Sequence, residues 1–191
     1  MTNQVPQNII EYIGDSKIYA PKGVIWGFEK PETAFGYVYH GHAIPPFRPH
    51  NMLILGYGCG TVAELTRKIW GADVKITGVD LEFPNPPPYF EFKLICNDAF
   101  SYVLDESHST FPTRYDYISI DLYESDNEAQ CVYDERFVGC IKKLSSRLIS
   151  VNSLFYNIDK LRVYYNAFDF DRQSIVSGQC VTYWRNNEQK T

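Results

Sequence analysis

Four places in the chain bring together residue types that can do chemistry at a common edge. Gly56-Tyr57-Gly58-Cys59-Gly60 follows the apolar run Met52–Leu55, and Asp80, Asp98 and Asp121 each close a later apolar run. A glycine turn between a strand and a helix lets backbone approach a ligand closely and aims helix N–H groups at it. An acid about 20 residues further on, at the tip of the next parallel strand, stands where a ribose diol can be held. In an open parallel sheet all such strand ends share one edge, where ligands bind at the switch in strand order. The chemistry these residues suggest is the binding of a nucleotide-type cofactor. Taken singly, an aspartate at a strand tip serves as well to cap a helix, and Asp98, just before Ala99–Leu104, fits that role too.

The elements that must position these residues can be read in order. Met52–Leu55 is a buried strand, and Thr61–Trp70 carries Val62, Leu65 and Ile69 at helical spacing. Val74–Leu81 reads as a second strand. Phe83–Phe90 contains four prolines, which forbid the helix an alternating α/β chain would place there. Glu91–Cys96 is a third strand, Ala99–Leu104 a short helix, His108–Thr113 a loop and Tyr115–Leu122 a fourth strand. Asp126–Ser145 is helical over its second half, Arg147–Val151 is a fifth strand and Ile158–Phe168 another helix. Ser174–Val176 and Gln179–Trp184 form a closing hairpin around Ser177-Gly178. The result is a Rossmann-like open α/β sheet, mostly parallel and antiparallel at its end.

Ahead of this sheet, Ile9–Ile13, Lys17–Tyr19, Gly23–Phe28 and Ala34–Tyr39 have strand character, separated by turn residues. They suggest a small antiparallel β-meander over residues 1–42. Ala43–His50 holds three prolines and reads as a linker over 43–50, leaving 51–191 as the cofactor-binding domain.

The glycine loop satisfies two patterns. Gly56-x-Gly58-x-Gly60 fits S-adenosylmethionine (SAM) binding, and Gly58-x-Gly60-x-x-Ala63 fits the dinucleotide fingerprint. Four stretches together resemble the class I SAM-dependent methyltransferase fold, within it the spermidine synthase-like branch. These are Leu53–Thr61, Gly78-Val79-Asp80-Leu81-Glu82, Asn97-Asp98-Ala99-Phe100 and Tyr115–Tyr123. The resemblance implies that Gly56, Tyr57, Gly58, Cys59 and Gly60 hold the methionine end of the cofactor. It implies that Asp80 binds the ribose hydroxyls and Asp98 the adenine amino group, with Leu81, Asn97 and Ala99 completing the cofactor shell. It puts Asp121 at the position of the catalytic aspartate of aminopropyltransferases, with Tyr123 and Glu124 on the acceptor side. The chain departs from that branch after the fourth strand, where Asp121-Leu122-Tyr123-Glu124 stands in place of an Asp-Ser-Ser-Asp type of loop. The Phe83–Phe90 run fits a lid or acceptor-recognition loop and equally a rigid surface connection.

Composition narrows the function classes. A 45% hydrophobic, 16% aromatic chain of 191 residues can bury a sizeable core, so a folded domain is expected. The net charge of -5, with no basic block longer than Lys142-Lys143, argues against a nucleic-acid partner. Residues 1–20 lack a basic start and an apolar stretch, and no run is long enough for a membrane span, so a cytoplasmic location is expected. The five cysteines contain no C-x-x-C pair, and His40, His42 and His50 have no clear carboxylate or thiol partner, so no metal is expected. A homodimer is compatible with the sequence. The reading is a SAM-dependent transferase, a methyltransferase with a small-molecule acceptor. The alternatives are aminopropyl transfer from decarboxylated SAM, an NAD-dependent oxidoreductase, and a non-catalytic cofactor-binding module.

Overall fold

The computed structural model describes residues 10–13, 16–19, 27–28, 40–83, 92–124, 127–176 and 179–186. Strands β1 (Ile10–Ile13), β2 (Ser16–Tyr19) and β3 (Gly27–Phe28) pair antiparallel in a small sheet. The expected strand Ala34–Tyr39 and the Pro84–Pro88 loop lie outside the described residues.

The main sheet is built from β4 (Asn51–Leu55), β5 (Lys75–Asp80), β6 (Lys93–Cys96), β7 (Tyr115–Ile120), β10 (Ser145–Leu154), β11 (Asp169–Val176) and β12 (Gln179–Arg185). A two-stranded hairpin, β8 (Tyr123–Glu124) and β9 (Asn127–Glu128), follows β7. The seven strands are ordered β11-β12-β10-β7-β4-β5-β6. Neighbours from β10 to β6 are parallel, whereas β12 runs antiparallel to both β10 and β11. Chain order runs outward from β4 through β5 to β6, then returns to β7 on the other side of β4. The switch point therefore lies between β4 and β7.

Alternation along the strands explains the two layers that cover this sheet. Leu53 and Leu55 of β4 and Ile118 and Ile120 of β7 join the core formed with helices α2 (Ala99–His108), α3 (Glu135–Leu144) and α4 (Arg162–Tyr165). Met52 and Ile54, one residue out of phase, face the opposite core with Tyr117 and with Val62 and Ala63 of α1 (Thr61–Trp70). A period of two feeding two faces is what a doubly covered parallel sheet requires. Among the described residues, no helix is long and apolar enough to cross a membrane.

Several elements differ from their sequence reading; β11 starts five residues before the expected Ser174, and the β8–β9 hairpin has no counterpart in it. The fifth strand, β10, is ten residues long, because Ser145 and Ser153, which flank the expected Arg147–Val151, are buried within it. The Ile158–Phe168 helix is instead a 3₁₀ segment, Phe155–Leu161, followed by the single turn α4. The α2 helix runs four residues beyond its expected end at Leu104.

Segment 43–50 is packed rather than free. Ala43 and Ile44 are buried, the Trp70 indole donates to the Pro45 carbonyl at 3.0 Å, and Phe47 meets the edge of Tyr117 at 6.4 Å. The Arg147 guanidinium covers the Phe47 ring at 3.6 Å, and the His50 N–H donates to Asp116 at 2.7 Å. Prolines exclude a helix here, yet the extended chain still delivers apolar side chains to the sheet face.

Gly78, in the middle of β5, leaves the space that the Tyr57 ring occupies. A Cβ there would lie 2.2 Å from Tyr57 Cδ2. Gly78→Ala should therefore destabilise the fold by about 2 kcal/mol, the usual scale of overpacking in a tight core. Denaturant unfolding checks this, and an unchanged midpoint would mean that Tyr57 has another place to go.

Candidate functional site

The carboxyl ends of β4, β5, β6 and β7 bring Gly56, Asp80, Asn97 and Asp121 to one edge. Gly56, Gly58 and Gly60 all have positive φ, at 83°, 55° and 81°. At Gly56 the reason is contact as well as torsion, because a Cβ would fall 2.0 Å from the Asp121 carbonyl oxygen. The loop and the end of β7 can approach this closely only through a residue without a side chain. The Asp121 N–H donates to the Leu55 carbonyl at 2.9 Å, locking the two strand ends together.

Asp80 holds the loop in place from the next strand. Its Oδ2 accepts from Gly58 N at 2.8 Å and its Oδ1 accepts from Leu81 N at 2.8 Å. Burial raises its carboxyl above the usual range, and these backbone N–H groups oppose that shift. The loop then enters α1, where Glu64 N reaches back to the Gly60 carbonyl at 3.0 Å. Cys59 is buried, and burial, reinforced by the negative charge of Asp80, pushes its thiol up to about 12. It is a neutral wall rather than a nucleophile. The Tyr57 ring turns inward, 4% exposed, edge-on to Phe83 at 5.7 Å and Phe92 at 6.2 Å. Only the backbone of Tyr57 is therefore offered to the loop. The Leu81 side chain, in contrast, is 67% exposed beside Asp80.

Asp98 caps α2: its Oδ1 accepts from Ser101 N at 2.8 Å, and its own N–H donates to Asn97 Oδ1 at 2.8 Å. Ala99 opens the helix and is buried. The carboxylate that stood as a ligand candidate is thus also a helix cap, through one of its two oxygens.

Asp121 stands beside this cluster. Burial pushes its carboxyl up to about 6, the Asn152 amide pulls it down, and the negative charge of Asp80 adds to the rise. Asn152 Nδ2 donates to Asp121 Oδ1 at 2.8 Å. Beyond Asp121, Glu124 lines a cavity of about 260 Å³ with Glu128, Tyr133, Asn157 and Lys160. Tyr123, expected on the acceptor side, is half-buried and does not line that cavity. Among the described residues, no three His, Cys, Asp or Glu side chains are grouped to hold a metal.

Two residues escaped the sequence reading. Asn152 sits one residue past the expected end of the fifth strand, and the strand-tip rule applied to the aspartates would have reached it. Glu128 is 2% exposed and accepts hydrogen bonds from Leu154 N and from Asn157 Nδ2, the latter at 2.7 Å. It ties the β8–β9 hairpin to the end of β10. Nothing local distinguishes it within the polar run from Glu124 to Gln130.

No protein-family model matches the chain, and no curated protein is similar to it in sequence. Solved structures are similar in fold. A spermidine synthase in complex with the transition state analogue AdoDATO shares 17% identity, over 92% of this chain and 73% of that one, with a TM-score of 0.65. Human methyltransferase-like protein 13 in complex with SAH shares 12% over 75% of this chain and 74% of that one, with a TM-score of 0.61. A ribosomal protein L11 methylase from Lactobacillus delbrueckii subsp. bulgaricus shares 10% over 80% of this chain and 77% of that one, with a TM-score of 0.57. The fold is that of the class I SAM-dependent methyltransferases and the spermidine synthases.

Two stability measurements follow from the site. The Asp121 carboxyl is raised from 3.8 to about 6 in the folded protein, so the folded state holds more protons than the unfolded one between those values. Stability from this group is therefore lost as pH rises through that window. Asp121→Asn removes the loss: its advantage over the native chain should grow from near zero at about pH 4 to about 2 kcal/mol at about pH 7.5, after allowance for partial exposure. A pH-independent difference in unfolding free energy would contradict the raised carboxyl. Separately, Glu128→Ala leaves two buried donors unpaired and should cost about 3 kcal/mol in denaturant unfolding. A loss below about 1 kcal/mol would mean the hairpin is held otherwise.

Proposed function

We propose that the chain is a SAM-binding transferase that moves a methyl group to a small-molecule acceptor. The observation that carries this reading is the positive-φ glycine loop, clamped by Asp80 through Gly58 N at 2.8 Å, at the switch point of the sheet. Gly56, Gly58 and Gly60 present backbone to the methionine end of the cofactor, and the N-terminus of α1 favours its carboxylate. Asp80 Oδ2 accepts from Gly58 N and Oδ1 from Leu81 N, and the carboxylate keeps lone-pair capacity for ribose hydroxyls. The exposed Leu81 side chain offers an apolar face to the adenine ring. Asp98 has its second oxygen for the adenine amino group, flanked by Asn97 and Ala99.

Bound there, SAM would supply an electrophilic methyl group on a cationic sulfonium. The carboxylates of Asp80 and Asp121 supply negative charge on the side where that cation sits, which favours a sulfonium over the anionic pyrophosphate of a dinucleotide. Asp121 is the proposed base, and a carboxyl raised to about 6 is ionised near neutral pH yet able to take a proton. The cavity beside Glu124 supports a small acceptor, because about 260 Å³ admits a molecule of few heavy atoms.

Aminopropyl transfer from decarboxylated SAM is the second reading. It is supported by the fold likeness to spermidine synthase and by a carboxylate, Glu124, lining the acceptor cavity. Leu122 and Tyr123 distinguish the chain from the small-residue loop of that branch. Product analysis with both cofactors separates the two.

Mutations test the assignment in parts. Asp80→Ala should weaken SAH binding about 10- to 100-fold, through lost charge-assisted hydrogen bonds and a loosened Gly58. Unchanged affinity in a folded variant would remove Asp80 from the cofactor site. Asp121→Asn should keep SAH affinity within about threefold but lower methyl transfer to any accepted amine, phenol or thiol by about 10²–10⁴-fold. Near-normal turnover would strip Asp121 of its role as base.

A further inference from the structure

Asn152 is placed by two backbone ladders at once. Val151 before it pairs with Ile120 of β7, and Asn152 itself pairs with Val181 of β12. Its amide is therefore brought alongside Asp121, the residue that follows Ile120. The side chain is 9% exposed. Nδ2 donates to Asp121 Oδ1 at 2.8 Å and reaches Gln179 Oε1 only at 3.5 Å. Oδ1 is buried and has no hydrogen-bond partner among the described residues. A buried acceptor left without a partner is unfavourable. The amide is thus held in this orientation by Asp121, not by a bond of its own oxygen.

We propose that Asn152 is a positioning residue that holds the Asp121 carboxyl group in both of its protonation states. Nδ2 donates to the ionised carboxylate. When the carboxyl is protonated, a half-turn of the amide presents Oδ1 to the O–H. The turn exchanges groups of nearly equal size about a soft terminal torsion. It gives up only the long contact to Gln179 and supplies a partner to the orphaned Oδ1. The charged group that faces Asp121 from a neighbouring strand is Asp80, at the tip of β5, whose negative charge favours the neutral acid. Asn152 works against that bias by bonding the ionised form more strongly than the neutral one.

The place of this pair in turnover rests on Asp121 being the base, as proposed above. The acceptor nucleophile attacks the methyl carbon with its lone pair, and the carbon–sulfur bond breaks with its electrons going to sulfur, leaving a neutral thioether. The proton released by the nucleophile passes to the free oxygen of Asp121. Asn152 holds the other oxygen through the Nδ2 bond during this step, so the accepting oxygen stays aimed at the nucleophile; the half-turn belongs to the resting acid, whose proton sits on the oxygen facing the amide.

The test uses the ligand-free full chain and therefore does not depend on the cofactor. The Asp121 carboxyl is titrated by carbon NMR with labelled aspartate, assigned by its absence in Asp121→Asn. The Asn152 side-chain amide is followed in the same samples by nitrogen NMR. Asp121 should titrate at about 6. The Asn152 amide signals should move with the same midpoint and stop titrating in Asp121→Asn. In Asn152→Leu, nearly isosteric and without donor or acceptor, the Asp121 midpoint should rise by about one unit. An Asn152 amide that does not titrate overturns the proposal, as does an Asn152→Leu midpoint equal to the native one. If Asn152→Leu does not fold, the amide titration in the native chain still decides it. A native pair that behaves as stated in a protein showing no affinity for SAM would sink the function and leave the pair standing.

Discussion

The contact between Gly56 and the Asp121 carbonyl is the constraint on which the site depends. With 2.0 Å between that oxygen and the place of a Cβ, no side chain can stand at position 56 while β4 and β7 end as they do. The same closeness brings the glycine loop against the backbone of Asp121 at the switch point, while the Asp121 carboxyl is bonded by Asn152 of β10. Asp80 then fixes the loop from the opposite side by accepting the Gly58 N–H. Loop, β5 tip and β7 tip form one unit whose parts come from three strands and whose geometry none of them sets alone.

That unit concentrates negative charge where burial disfavours it. Asp80 and Asp121 are both raised by desolvation, and the charge of Asp80 acts on Cys59 and on Asp121. Such an arrangement costs stability and is retained where a ligand or a reaction offsets the cost. A cationic sulfonium is one ligand that would do so. Glu128 handles the same problem differently, for its charge meets the Leu154 N–H and the Asn157 amide. The two carboxylates therefore differ in support: Asp121 has a single side-chain donor, Asn152, and Glu128 has two donors.

The parts of this architecture set by local chemistry were legible in the sequence. Gly56, Gly58 and Gly60, the apolar runs before them, and the acids ending β5 and β7 are short-range signals. They indicated the open α/β sheet and the edge where Asp80 and Asp121 meet. Asp98 was legible in both of its senses, and the structure gives it the capping bond to Ser101. What stayed hidden depends on partners distant in the chain. Serines interrupt the apolar pattern of β10, yet Ser153 is satisfied by the Cys180 carbonyl at 3.2 Å, 27 residues away. Asn152 gains meaning only beside Asp121. Segment 43–50 looked like a linker because prolines mark what a chain cannot form locally, not what Phe47 will pack against. The inward turn of Tyr57 likewise needed the vacancy at Gly78, on another strand.

The Asp80-clamped loop is the proposed SAM site at this edge. Calorimetric titration of the native chain with SAM, decarboxylated SAM and NAD tests it most directly. Saturable binding of SAM or decarboxylated SAM is expected at one site per chain, with NAD weaker by at least about tenfold, or about 1.4 kcal/mol. Tighter binding of NAD, or no heat with either sulfonium, would contradict it.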